Sequence, residues 1–214
     1  MQPDRQNLNP AISLPADALH RFLRGRRSIR RFQPCSIPSG VLMRVLESAM
    51  WAPSAHNRQP WRFVILNTAE SKRQLAETMA AQLAADLRAD GVDEDTIARD
   101  IARSRERLVS AAVLVVVCLT MKDMDRYPDA RRQACEHVMA VQSVAMAGQN
   151  LLLAAHAEGL GGVWMCAPLF CPEAVRTVLD LPPDYEPQGV IALGYPAEQP
   201  SKGREPLETR VIFR

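Results

Sequence analysis

Ala111-Ala-Val-Leu-Val-Val-Val-Cys-Leu-Thr120 is a nearly unbroken apolar run containing four valines. A strand with one wet face would alternate polar with apolar residues, and this one does not. It is therefore expected to lie centrally in a sheet with cover on both sides. The run is too short to cross a bilayer as a helix, which takes about 20 residues.

Working outward, the segment after a turn-rich loop (Met121 to Pro128) reads as a long helix from about Arg131 to Glu158. Val138, Val141, Ala145, Leu151 and Leu152 make it apolar on most sides, which suits a core or an interface, and Gly159 supplies a C-terminal cap. Before the apolar run, Leu75, Met79, Leu83 and Leu87 recur every fourth residue from Ser71 to Asp90-Gly91. A second, charged helix follows with Ile97, Ile101 and Leu108, and the pair is expected to be an excursion from the core. Trp61 to Leu66, Gly162 to Ala167 and Gln188 to Tyr195 read as further strands, and Arg210 to Phe213 looks strand-like. Helices are expected over Ala16 to Gly25, from Pro38 until Pro53 breaks the chain, and over Pro172 to Leu179. With no repeat or linker, the economical reading is one α+β domain over residues 1–214.

Composition narrows the function classes. Lys and Arg number 26 against 24 Asp and Glu, a formal net charge of +2, so no global field draws nucleic acid or anionic lipid. Met1 to Pro15 lacks an apolar stretch after a basic start, so no signal peptide is read there, and a cytoplasmic location with no membrane span is expected. Cys35, Cys118, Cys135, Cys166 and Cys171 are odd in number and lack C-x-x-C spacing, so they are expected to be reduced, mostly buried thiols. His20, His56, His137 and His156 show no metal-ligand spacing, and no metal is expected.

No nucleophile elbow, P-loop or kinase signature occurs, which leaves chemistry supplied by a bound organic cofactor. Two basic clusters lie at opposite ends of the chain, Arg26 to Arg31 and Lys202 with Arg204. Either alone reads equally well as a solvated patch; together they can close on one phosphate dianion, with the Ser28 hydroxyl added. The loop Ala52 to Trp61 joins a helix to a strand and also concentrates Asn57 and Gln59, whose amides offer donors and acceptors to a planar heterocycle. Gly159-Leu-Gly-Gly162 follows a helix and precedes a strand, the reverse of a Rossmann fingerprint, so it is read as a cap and a place where backbone can approach a flat ring.

Five stretches, Arg26-Arg-Ser-Ile-Arg30, Ala52-Pro-Ser-Ala-His-Asn-Arg-Gln-Pro-Trp61, Gly159-Leu-Gly-Gly-Val-Trp164, Leu193-Gly-Tyr-Pro196 and Lys202-Gly-Arg-Glu-Pro-Leu207, resemble the nitroreductase family in order and spacing, across nearly the whole chain. The resemblance implies an FMN cofactor, a central, mainly antiparallel sheet flanked by helices, and an intertwined homodimer. It assigns Arg26, Arg27 and Ser28, with neighbouring Ile29, to the FMN phosphate end, joined by Lys202 and Arg204. Arg30 falls near the pyrimidine edge, and Ser54, Ala55 and Asn57, with Gln59, in the loop that reaches the flavin from the partner subunit. Trp164, Met165 and Cys166 match the strand beside flavin N5; at Cys166-Ala167 the chain departs from the acidic residue and glycine of many members, and Cys166 is expected to be a backbone donor and a packing residue.

A narrower resemblance is to the nitroreductase-like domain of the coenzyme F-420 γ-glutamyl ligase, carried by Ala55-His-Asn-Arg-Gln59, Asp86-Leu-Arg88, Tyr127-Pro-Asp-Ala130, Glu136-His137 and Leu181-Pro-Pro-Asp-Tyr-Glu-Pro187. It places Asp86 near a bound deazaflavin, and His56 is read as a second neighbour of the substrate. The implied activity is hydride transfer through flavin N5 to a small conjugated acceptor, with NAD(P)H as electron donor. The acceptor can be a dehydro precursor of the deazaflavin coenzyme or a nitroaromatic, quinone or enone. A non-catalytic flavin or deazaflavin binder is the alternative from another class.

Overall fold

Strands Trp61–Leu66 (β1), Val113–Leu119 (β2), Gly161–Met165 (β3) and Glu186–Gly194 (β4) form one sheet in the order β1-β2-β4-β3, with every neighbouring pair antiparallel. The coordinates, a computed structural model, describe residues 15–214; the expectation about a signal peptide concerns residues that lie mostly outside the described residues. The helices are Ala16–Gly25 (α1), Ser39–Ala49 (α2), Ala69–Ala89 (α3), Glu94–Val109 (α4), Ala130–Ala157 (α5) and Pro172–Val178 (α6).

The apolar run behaves as its composition requires. Val113, Val115, Val117 and Leu119 of β2 face one core with Val45 and Ala49 of α2 and Val144, Ala147, Leu151 and Ala155 of α5. Leu114, Val116 and Cys118 face a second core with Leu75, Ala76 and Met79 of α3, Leu108 of α4 and Val175 of α6. All seven β2 residues are buried. A strand covered on both sides has no position where a polar side chain could reach water, which is why the sequence shows no alternation.

The second core corrects one expectation. The α3–α4 pair is not wholly an excursion, because Leu75 and Leu108 are fully buried on the sheet and only the distal stretch, with Leu83 and Leu87, is half-buried. A period of four reports which helix face is apolar but not how far along that face the sheet extends.

Helix α5 ends as anticipated. Gly159 takes a left-handed φ of 75°, and the Leu160 N–H reaches back to the Ala155 carbonyl at 2.8 Å, closing the helix while Leu160 turns into the core. By length and composition α5 is the one helix among the described residues apolar enough to cross a membrane. Its Val144, Ala147, Leu151 and Ala155 are instead buried in the first core.

Two more expectations change. Arg210 to Phe213 forms no strand and pairs with none of the strands among the described residues. A short 3-10 turn at Leu207–Thr209 precedes it, and Ile212 and Phe213 stand 78% and 92% exposed. All five cysteines are free, but only Cys118 and Cys171 are buried; Cys35, Cys135 and Cys166 are exposed. Apolar sequence neighbours do not reveal which face of a helix or loop a given thiol occupies.

Candidate functional site

The chain leaves α1 in an extended conformation at Arg26 and runs along the outer edge of β3. Ser28 bridges Gly162 in parallel, the Ile29 N–H donates to the Gly162 carbonyl at 3.1 Å, and the Gln33 N–H donates to Tyr195 O at 2.9 Å. Ile29 is buried against Gly161 so closely that a Cβ there would lie 2.7 Å from it. Ile29 thus anchors the basic segment on the strand, and the absence of a side chain at Gly161 permits the approach.

Between this edge and the end of α5 lies a cavity of about 280 Å³, lined by Arg26, Arg27, His156, the Gly161–Gly162 backbone and Glu198. Burial, and then the positive charges of Arg204 and Arg27, hold the Arg26 guanidinium below its ordinary range. Arg26 thus feels the charge of Arg204, 178 positions away in sequence. Among the described residues, none of Arg26, Arg27, Lys202 or Arg204 is in a salt bridge; the Arg27 guanidinium donates to the backbone carbonyls of Arg24 and Arg26. Cations gathered without a carboxylate partner repel one another, and an anion between them relieves that repulsion. Lys202 is exposed on the same arm two residues before Arg204.

The carboxylate present, Glu198, is committed elsewhere. Its Oε1 accepts from the backbone N–H groups of Arg30 and Arg31 at 2.5 and 3.2 Å. Arg30 is exposed and lies near Arg107 of α4, whose guanidinium is lowered by burial and then by the charge of Arg30. The sequence held no signal that Arg107, on a helix read as merely charged, belongs beside Arg30.

The loop after α2 is a second locus. His56, Asn57 and Gln59 all have φ near +50°, a region costing non-glycine residues on the order of 1–3 kcal/mol each. Hydrogen bonds hold the shape: Ala55 N–H to Ser143 Oγ at 3.2 Å, Gln59 N–H to Ser54 Oγ at 3.1 Å and Gln59 Nε2 to Asn57 Oδ1 at 3.2 Å. Arg58 pairs with Asp125, whose own N–H donates to the buried Glu136 at 3.1 Å. Nothing in the sequence marks Ser143, and Glu136 stands out there only within the Glu136-His137 pair of the narrower resemblance, because a serine or glutamate inside a helix looks like surface. The loop docks at Ser143, whereas the cavity borders His156, thirteen residues along α5 and so about 20 Å away along the axis. A single chain does not bring Ser54, Ala55, His56, Asn57 and Gln59 to the Arg26 cavity.

At the far end of β3, the Trp164 ring packs against Gly148 of α5 and Gly189 of β4. Its indole N–H donates to Cys166 Sγ at 3.2 Å. The Cys166 side chain is exposed, which corrects its expected packing role; Met165 and Trp164 are half-buried. Just beyond, a second cavity of about 240 Å³ is lined by Met79, Leu83, Asp86, Ala167, Phe170 and Cys171. Gln82 Nε2 donates to Asp86 Oδ1 at 2.7 Å, and the Cys171 thiol is raised by burial and then by the Asp86 charge. Asp86 is thus brought to the β3 exit, while the exposed His56 is not among the residues lining that cavity.

The chain is similar to known proteins over most of its length. The family profile described as "Nitroreductase family" matches residues 23–195. A Thermus thermophilus protein named NADH dehydrogenase is 35% identical over 88% of this chain and 92% of its own length. A Desulfovibrio desulfuricans protein crystallised in complex with FMN superposes with a TM-score of 0.71 at 27% identity, covering 92% of this chain and 96% of that one. A BluB-like flavoprotein of Clostridium difficile shares the fold, with a TM-score of 0.78 at 22% identity over 92% of this chain and 98% of that one.

Proposed function

The chain belongs to the nitroreductase family, and from that premise we propose that it is an FMN-dependent oxidoreductase, working as a homodimer and taking its electrons from NAD(P)H. The carrying observation is a cavity lined by Arg26, Arg27 and the Gly161–Gly162 backbone, at which Arg26 also feels the charge of Arg204. Unpaired guanidinium groups suit a phosphate dianion, and a strand edge without side chains suits the close passage of a ribityl chain and a flat ring. FMN would supply hydride transfer between a nicotinamide donor and an acceptor. The chain's residues would do the holding: Arg26, Arg27, Ser28, Lys202 and Arg204 at the phosphate, Arg30 at the pyrimidine edge, and the backbone of Trp164, Met165 and Cys166 along the ring.

A second copy completes the site under this reading. The Ser54–Gln59 loop lies too far along α5 to serve its own cavity, so it is assigned to the partner's flavin. The exposed Ile212 and Phe213 of the C-terminal arm, and the exposed Val138 and Met146 of α5, are apolar surface that a partner would cover.

The relative named NADH dehydrogenase supports a nicotinamide donor. The acceptor is read as a small conjugated molecule such as a quinone, enone or nitroaromatic. Its narrower form, a deazaflavin precursor, is favoured by one observation, the position of Asp86 in the cavity at the β3 exit. Titration with oxidised deazaflavin separates the two, since steady turnover of quinones without deazaflavin binding selects the general reductase.

The visible spectrum of the purified protein, followed by mass identification of the released cofactor, tests the whole reading. Flavin bands and FMN are expected. A colourless protein that takes up no FMN on reconstitution would sink it. Flavin that binds but passes hydride to no acceptor would leave a flavin carrier instead.

A further inference from the structure

His156 stands in the last turn of α5, and its imidazole lines the same cavity as Arg26 and Arg27. Phe22 of α1 stacks on the ring with centroids 5.0 Å apart and planes inclined by 27°. Gly25 passes so near that a Cβ there would sit 3.4 Å from Nε2. The ring is thus clasped between α1 and the cavity, with little freedom to turn away.

The charges around it come from several elements. Arg26 and Arg27 follow α1, the charge of Arg204 acts on Arg26 from the C-terminal arm, and β3 contributes only the uncharged Gly161 and Gly162. Glu198, after β4, has its carboxylate tied to the Arg30 and Arg31 backbone. On α5 itself, the neighbouring Glu158 is paired with Arg44 at 2.7 Å. Burial and then the Arg26 charge lower His156 from its ordinary range, so it is neutral at neutral pH in the chain alone. A phosphate dianion beside Arg26 would reverse the field at the ring and draw a proton onto it.

We infer that His156 is a further cofactor-binding residue, one that takes up a proton as the flavin phosphate enters and so strengthens the grip on that phosphate in mildly acidic relative to mildly alkaline solution. This rests on the reading of the Arg26 cavity as the FMN phosphate site. It also makes His156 a determinant of specificity for phosphorylated over unphosphorylated flavin. One charge-assisted hydrogen bond gained with the proton corresponds to roughly a tenfold change in affinity.

The test is FMN binding to the deflavinated full chain, by fluorescence quenching between about pH 6.5 and 8.5, spanning the ordinary imidazole range and beyond. Calorimetry in buffers of different ionisation heat counts the protons taken up. Riboflavin is the phosphate-free probe. For the unaltered chain we expect FMN affinity to fall roughly tenfold across the range with proton uptake on binding, and riboflavin affinity to stay level. His156→Gln should bind FMN weakly with no proton uptake, and His156→Arg, permanently charged, should bind tightly with a flat profile.

If His156→Gln keeps the pH slope and the proton uptake, or if riboflavin shows the same slope, the role of His156 is overturned while the phosphate site stands. If the unaltered chain binds FMN no better than riboflavin at any pH, the phosphate-site reading falls, and this inference falls with it.

Discussion

Trp164 lies against Gly148 so tightly that a Cβ on Gly148 would come within 2.2 Å of its indole ring, and a Cβ on Gly189 would come within 2.6 Å of it. The strand that borders the proposed flavin ring is therefore seated by a wedge of tryptophan between a helix and a strand that both lack side chains at the contact. The seat also positions the indole N–H on Cys166 Sγ.

Gly148→Ala is expected to destabilise the fold by about 1–3 kcal/mol, the usual penalty for overpacking a filled core, and to weaken FMN retention by displacing β3. Chemical denaturation and the flavin content of the purified variant measure the two effects. Adding Trp164→Phe should recover part of the stability, because the smaller ring leaves room for the new methyl group.

Arg26→Ala and Arg204→Ala should each weaken FMN binding by roughly ten- to a hundredfold, the loss of a charge-assisted hydrogen bond of about 1.5–3 kcal/mol. Riboflavin binding should be unaffected. Equal losses for both flavins, read by fluorescence titration, would move these guanidinium groups away from the phosphate.

Ile212→Asp with Phe213→Asp places two charges on residues that stand 78% and 92% exposed in the single chain. Sedimentation should show a shift from dimer toward monomer, with thermal stability of the monomer little changed. A variant that remains fully dimeric would show that the arm is not part of the interface.

Thiol labelling of the native protein should report Cys35 and Cys166 as fast and Cys118 and Cys171 as slow, with Cys135, exposed in the single chain on the α5 face of Val138 and Met146, slowed by the partner. Burial pushes the Cys118 thiol up to about 12. Below the ordinary thiol range, near pH 8.5, Cys118 is protonated whether folded or not, and its contribution to stability is complete. As pH rises from there toward about 12 the unfolded chain loses that proton first, so the stability contributed by the protonated thiol is progressively lost. Cys118→Ala should flatten this alkaline fall in a denaturation series. FMN, once loaded, should slow only Cys166 among the fast thiols.

Much of the fold was legible in the chain because it depends on local pattern. The continuous apolarity of 113–119 required cover on two faces, the β-branched stretch at 61–66 marked a strand, and Gly159 with a left-handed φ ended α5 where the apolar pattern stopped. Where expectations changed, the deciding fact was a contact between distant segments. The sheet reaches under the near ends of α3 and α4, and Arg210 to Phe213 joins none of its described strands.

The candidate site divides in the same way. Residue types able to hold a phosphate could be read in sequence, since charge and hydrogen-bonding capacity belong to each side chain alone. That the charge of Arg204 acts on Arg26, that His156 lines the Arg26 cavity, and that Ser143 pins the Ser54–Gln59 loop well away from it were settled only by packing. These are relations between segments up to 178 positions apart, and the free energy of the whole sheet and its two cores, not any local preference, determines which of them meet.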